Sequence, residues 1–134
     1  MTRYATHSWP DVVSFFQNFG RDYPEFAPLG PAVAQVAASR YAAGLYPVQS
    51  HHTLLLYQHD HAGPEDEQVR LDWDDGEFVV RYLNGRIQDP RTALVDPKGI
   101  WTKRGPDAMA LLERAFHHLG WFVEYRALSS REHR

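Results

Sequence analysis

Apolar residues recur along this chain with two different periods, and the switch between them marks its elements. Between Gln68 and Leu83 the period is two. The runs Val69-Arg70-Leu71-Asp72-Trp73 and Phe78-Val79-Val80-Arg81-Tyr82 flank Asp74-Asp75-Gly76-Glu77. Asp-Gly is the strongest short turn signal, because both central residues of a type I′ turn need φ > 0. With Asp75-Gly76 as a two-residue loop, Trp73 faces Phe78, Leu71 faces Val80 and Val69 faces Tyr82. A slip of one residue would turn a strand over and set Trp73 against Glu77, so the apolar face selects the register. The pattern predicts a β-hairpin with six large apolar side chains on one face, which the rest of the chain must cover.

Elsewhere the period lengthens to that of a helix. Ser8 is placed to cap a first helix, with Pro10 in its first turn and Asp11 three residues on. Trp9, Val12, Val13, Phe16 and Phe19 make its apolar stripe, Phe15 widens it, and Gly20 is the expected stop. Residues 21–30 carry Pro24, Pro28 and Gly30 and read as a loop. Pro31 then opens an alanine-rich helix that Gly44 closes, and Leu45-Tyr46-Pro47 leads onward. Thr53-Leu54-Leu55-Leu56-Tyr57 is apolar at both parities, as in a central strand or one covered on both faces. With the hairpin it gives a three-stranded meander.

The stretch from Asn84 to Arg104 reads as an irregular insert. Asp96-Pro97-Lys98-Gly99 suits a type I turn, which would join Ala93-Leu94-Val95 to Ile100-Trp101-Thr102 as a small hairpin. The last helix opens at Gly105 and Pro106, carries Ala108, Leu111, Leu112, Ala115, Phe116 and Leu119, and stops at Gly120. Trp121 to Tyr125 alternates as a final strand, and residues 1–7 and 129–134 are expected to fray. The expected architecture is a single α+β domain over residues 1–134. Two N-terminal helices, an antiparallel β-meander, an irregular insert, a C-terminal helix and a final strand surround one core.

Composition narrows the function. A chain of 134 residues hides roughly two-thirds of its unfolded surface on folding, enough for a real core. With 43% hydrophobic residues it is too apolar for disorder, and a net charge of −3 supplies no basic field for a phosphate backbone. Nucleic acid is not an expected partner. Cysteine is absent, which removes disulfides, thiolate nucleophiles and cysteine-type zinc sites and fits an intracellular, cytoplasmic setting. Met1 to His7 lacks an apolar leader core, and no run approaches the ~18 residues of a membrane span.

Three groups of residues suggest chemistry. His59 and His61 share a face at i and i+2, as divalent-metal ligands would, but no third ligand lies nearby and solvated surface histidines explain them more simply. His117 and His118 close the last helix, where a cationic imidazole suits the negative end of the dipole. In the hairpin register Arg70 opposes Arg81, an unfavourable pairing that Asp72, diagonal to Arg81, is placed to relieve. Alternatively the two guanidiniums converge on an anion or on a partner's acidic side chains, with Val79 exposed between them as a contact residue. The acids Asp60, Glu65, Asp66, Glu67, Asp72, Asp74, Asp75 and Glu77 concentrate around the meander loops, as a solvated cluster or a patch for a basic partner.

Nucleophile elbow, zincin, P-loop, dinucleotide and EF-hand signatures are all missing. No catalytic residue and no cofactor is assigned. The element order resembles that of small acidic bacterial secretion chaperones and of immunity proteins, a likeness of order alone that implies a protein-binding role. The preferred expectation is a non-catalytic protein-binding module using Arg70, Asp72, Val79 and Arg81, with a second copy of the chain as one possible occupant of that face. The alternative is a small-ligand binder or enzyme with a pocket between sheet and helices, lined by Trp73, Tyr82, Trp101 and Tyr125.

Overall fold

In chain order the elements are α1 (Trp9–Asp22), α2 (Leu29–Ala38), β1 (Tyr46–Ser50), β2 (Thr53–Tyr57), β3 (Glu67–Asp74), β4 (Glu77–Asn84), β5 (Ile100–Gly105) and α3 (Ala108–Leu119). They are those of a computed structural model, which describes residues 7–60, 62, 66–84 and 100–123. The five strands form one antiparallel sheet in the order β1-β2-β3-β4-β5. The fold is α+β, as the sequence predicts.

The β3–β4 hairpin takes the predicted register. Trp73 pairs with Phe78, Leu71 with Val80 and Val69 with Tyr82, around the turn Asp75-Gly76. Both turn residues have positive φ, 51° at Asp75 and 79° at Gly76, the conformation for which Asp-Gly is suited. Val69, Leu71, Phe78, Val80 and Tyr82 are buried in the main core, and Trp73 packs against it half-buried. Helices cover this face: Val12 and Phe16 from α1, Leu29, Val33 and Val36 from α2, and Leu111, Leu112, Ala115 and Phe116 from α3 belong to the same core.

β2 is covered on both faces, as its double parity predicts. Leu54 and Leu56 enter the main core, whereas Leu55 and Tyr57 join Val48 and Ala62 in a second cluster on the other side of the sheet. The meander has five strands rather than three. β1 is an addition that Pro47 disguised, since proline lacks the N–H of an inner ladder but is tolerated at a sheet edge. The His7 N–H donates to the Pro47 carbonyl (3.0 Å) and the Gln49 N–H to His7 Nδ1 (3.1 Å), so the chain before α1 lies along that edge. β5 contains the predicted Ile100-Trp101-Thr102, but its partner is β4, with Trp101 opposite Tyr82. Ala93-Leu94-Val95 lies outside the described residues.

Caps explain most helix limits. Ser8 Oγ accepts from the Asp11 N–H (3.2 Å), and Asp107 caps α3 by accepting from Ala110 N–H (3.1 Å). Gly120, at φ 75°, ends α3 in the left-handed conformation. Three expectations need correction. Gly20 does not stop α1, which continues to Asp22; a Cβ there would sit 3.0 Å from Ala27 Cα, so this glycine permits a close backbone approach instead. α2 begins at Leu29 rather than Pro31 and ends at Ala38 rather than Gly44, because the Ser39 hydroxyl donates to the Val36 carbonyl (2.7 Å) and the chain re-forms as a 3-10 turn over Ala42–Gly44. Residues 121–123 form no strand: Phe122 has φ 58°, and Trp121 and Phe122 fold back on Phe116 in the core. Tyr125 and residues 1–6 and 129–134 lie outside the described residues.

Candidate functional site

The sheet face turned away from the helices carries the residues that the hairpin register points outward. Leu55, Arg70, Arg81 and Thr102 form one row across β2 to β5. Asp72, Val79 and Arg104 form the next. Strand alternation alone therefore places Arg70, Asp72, Val79 and Arg81 on one surface, and all four line a groove of about 720 Å³.

Other elements build the groove's rim. The 3-10 turn Pro24–Phe26 supplies Glu25 and Phe26, and the β1–β2 turn supplies His52. Phe26 and His52 lie 5.0 Å apart between ring centroids, Phe19 and Phe26 5.2 Å, and Phe19 and Tyr23 4.9 Å, so one aromatic cluster holds that end together. Tyr23 in this cluster is 51% exposed. Trp73 and the turn Asp75-Gly76 close the same end.

Charge in the groove is partly matched. Arg104 donates from Nε to Glu77 (2.7 Å) and from its terminal nitrogen to the Asp74 carboxylate (3.1 Å). The hydrogen bond to Glu77, and then that to Asp74, raise the Arg104 guanidinium above its ordinary pKa. Asp72 accepts from the Thr53 hydroxyl, and no ion pair joins it to Arg81 among the described residues. The expected relief of the arginine pair is thus not made. Arg70 Nε donates to Gln68 Oε1 (2.7 Å), a neutral partner on a side chain that is itself buried. Arg81 is exposed and has no ion pair among the described residues.

Val79 departs from expectation. It is 2% exposed, a covered floor residue between Asp72 and Arg104 rather than a free contact. Sequence reasoning missed Glu25, Phe26, His52 and Arg104. Only Arg104 left a signal, since β5 alternation puts it on the same face as Thr102; the others reach the groove through the tertiary placement of two turns.

The three described residues of the alternative pocket, Trp73, Tyr82 and Trp101, do not meet as a group. Tyr82 and Trp101 are neighbours across β4 and β5, but Tyr82 is buried in the core and Trp101 lies beside it, stacked on His118 at 5.8 Å. Trp73 sits four residues away from the Val69–Tyr82 row, edge-on to Phe78 at 4.8 Å, and Tyr125 is outside the described residues. His59 is exposed, His61 is outside the described residues, and no group of three or more metal-ligating side chains occurs among the described residues. The acids separate between the two ends of the sheet: Asp74, Asp75 and Glu77 surround the hairpin turn, while Glu67 starts β3 at the far end. Glu65 lies outside the described residues.

These features define an α+β protein whose helices cover one face of a five-stranded sheet and whose other face carries a charged groove. No protein-family model, no curated protein and no solved structure matches the chain. Among the described residues no helix is long and apolar enough to cross a membrane.

Proposed function

We propose that this chain is a non-catalytic, intracellular protein-binding module, and that it engages its partner through the outer face of the β3–β4 hairpin. The observation that carries this reading is the direct opposition of Arg70 and Arg81 at a groove wall, with no acidic side chain of the described residues paired to either. Opposed like charges destabilise a strand pair, and a partner's carboxylate bound between the two forks offsets that cost in the complex. Binding fits the groove better than catalysis. Glu77 and Asp74 are tied to Arg104 and Asp72 to Thr53, so these carboxylates serve the scaffold.

The test is affinity capture from an extract of the source cells with the parent protein and with Arg70→Glu and Arg81→Glu, each checked for native circular dichroism. The reading expects partner recovery to fall with either variant. Folded variants that recover the same partners as the parent overturn it.

A further inference from the structure

Charge is segregated along the groove. Arg70 and Arg81 share one cross-strand row, and Asp74 and Glu77 share another four residues further along the same strands, beside Asp75. At the rise of a strand that separation is roughly 13 Å. Glu25 is placed towards the acidic end, because its neighbour Phe26 packs on His52, and the β2–β3 register continued from Leu54 opposite Leu71 sets His52 level with Trp73, next to Asp74. Arg104 engages Asp74 and Glu77, whereas Glu25 and Asp75 are exposed and have no ion pair among the described residues. The middle row is matched, with Asp72 bonded to Thr53, Arg104 bonded to its carboxylates and Val79 covered. Among the described residues, positive charge without an ion pair stands at one end and negative charge without one at the other.

We infer that the groove takes an extended segment of a partner protein with an acidic residue at one point and a basic residue about four positions away. The acidic side chain lies on Arg70 and Arg81, and the basic one on Glu25 and Asp75. This inference rests on the protein-binding reading above and narrows it. A uniformly acidic segment of that length would set a carboxylate against Glu25 and Asp75, and like-charge juxtaposition is how an interface rejects a wrong partner. A uniformly basic segment meets the same obstacle at the arginines.

Selection of short random peptides displayed on phage against the intact protein tests this, followed by fluorescence anisotropy of the enriched peptides. The expected peptides carry one acidic and one basic residue at a constant spacing. Their affinity falls about tenfold or more with Arg81→Glu and with Glu25→Lys, and Glu25→Lys binding recovers when the peptide's basic residue is changed to Glu. Asp75→Asn is the milder second variant, since Asn also accepts the positive φ of the turn. Acid-only peptides that depend on the arginines but not on Glu25 or Asp75 overturn the segregated-charge inference while leaving the arginine surface in place. Peptides indifferent to Arg70 and Arg81 overturn both readings, and a failure to enrich any peptide overturns this one.

Discussion

Arg70 and Arg81 stand directly opposite each other across the β3–β4 ladder, and the acid nearest in register, Asp72, is turned to Thr53 instead. A pairing that costs stability is thus left uncorrected within the hairpin. Arg81→Glu replaces repulsion with a cross-strand ion pair, so the variant is expected to be more stable than the parent by roughly 0.2–1 kcal/mol while losing its partner. Urea unfolding at unchanged m-value checks the first half; a destabilised Arg81→Glu would show that Arg81 serves the fold.

Coverage of the sheet on both faces has its own consequence. Leu71 lies under the helices and Leu55 on the opposite face in the smaller cluster with Val48, Tyr57 and Ala62, yet both are buried. Leu55→Ala and Leu71→Ala are each expected to cost about 2–5 kcal/mol. A loss within about 0.5 kcal/mol for Leu55→Ala, the size of an ordinary surface effect, would mean that the outer cluster does not exclude water.

Gly44, the last residue of the 3-10 turn, provides space for a neighbouring ring. A Cβ at this position would lie 2.7 Å from Phe122 Cε1, and Phe122 is held among Tyr41 and Phe116. Gly44→Ala should destabilise by about 1–3 kcal/mol through overpacking. Because the clash disappears when the ring does, Gly44→Ala combined with Phe122→Ala should cost less than the sum of the two single changes. Additive costs in that cycle would contradict the contact.

At Gly76 and Gly120 the requirement is conformational. Their φ values are 79° and 75°, and a Cβ would meet nothing within 4 Å at either. Alanine at each is expected to cost roughly 1–2 kcal/mol from backbone strain alone. Thermal melts of both variants, with the larger residue Leu tested beside Ala, separate strain from crowding: similar losses for Ala and Leu are expected.

Much of this fold is legible in the sequence where one physical signal dominates. The Asp75-Gly76 turn and the alternation around it specify the hairpin register, and Ser8 and Gly120 mark helix ends through their local geometry. Competing signals defeat the reading elsewhere. Gly20 looks like a stop but serves close packing, Ala42 and Ala43 look helical but follow a serine that draws the helix closed, and Pro47 hides an edge strand. For the groove, strand parity suffices to gather Arg70, Asp72, Val79 and Arg81, yet it cannot place Glu25, Phe26 or His52, which arrive through turns distant in sequence. Nor does parity foresee that Val79 is covered.

The most direct measurement is site-specific photocrosslinking in source-cell extract, with a photoreactive residue at exposed Thr102, beside Arg81 in the same cross-strand row, and, for comparison, at Glu113 on the exposed side of α3. The account predicts a defined protein adduct from position 102 that Arg70→Glu suppresses and that position 113 does not give. Equal adducts from both positions, or an adduct from position 113 alone, would contradict it.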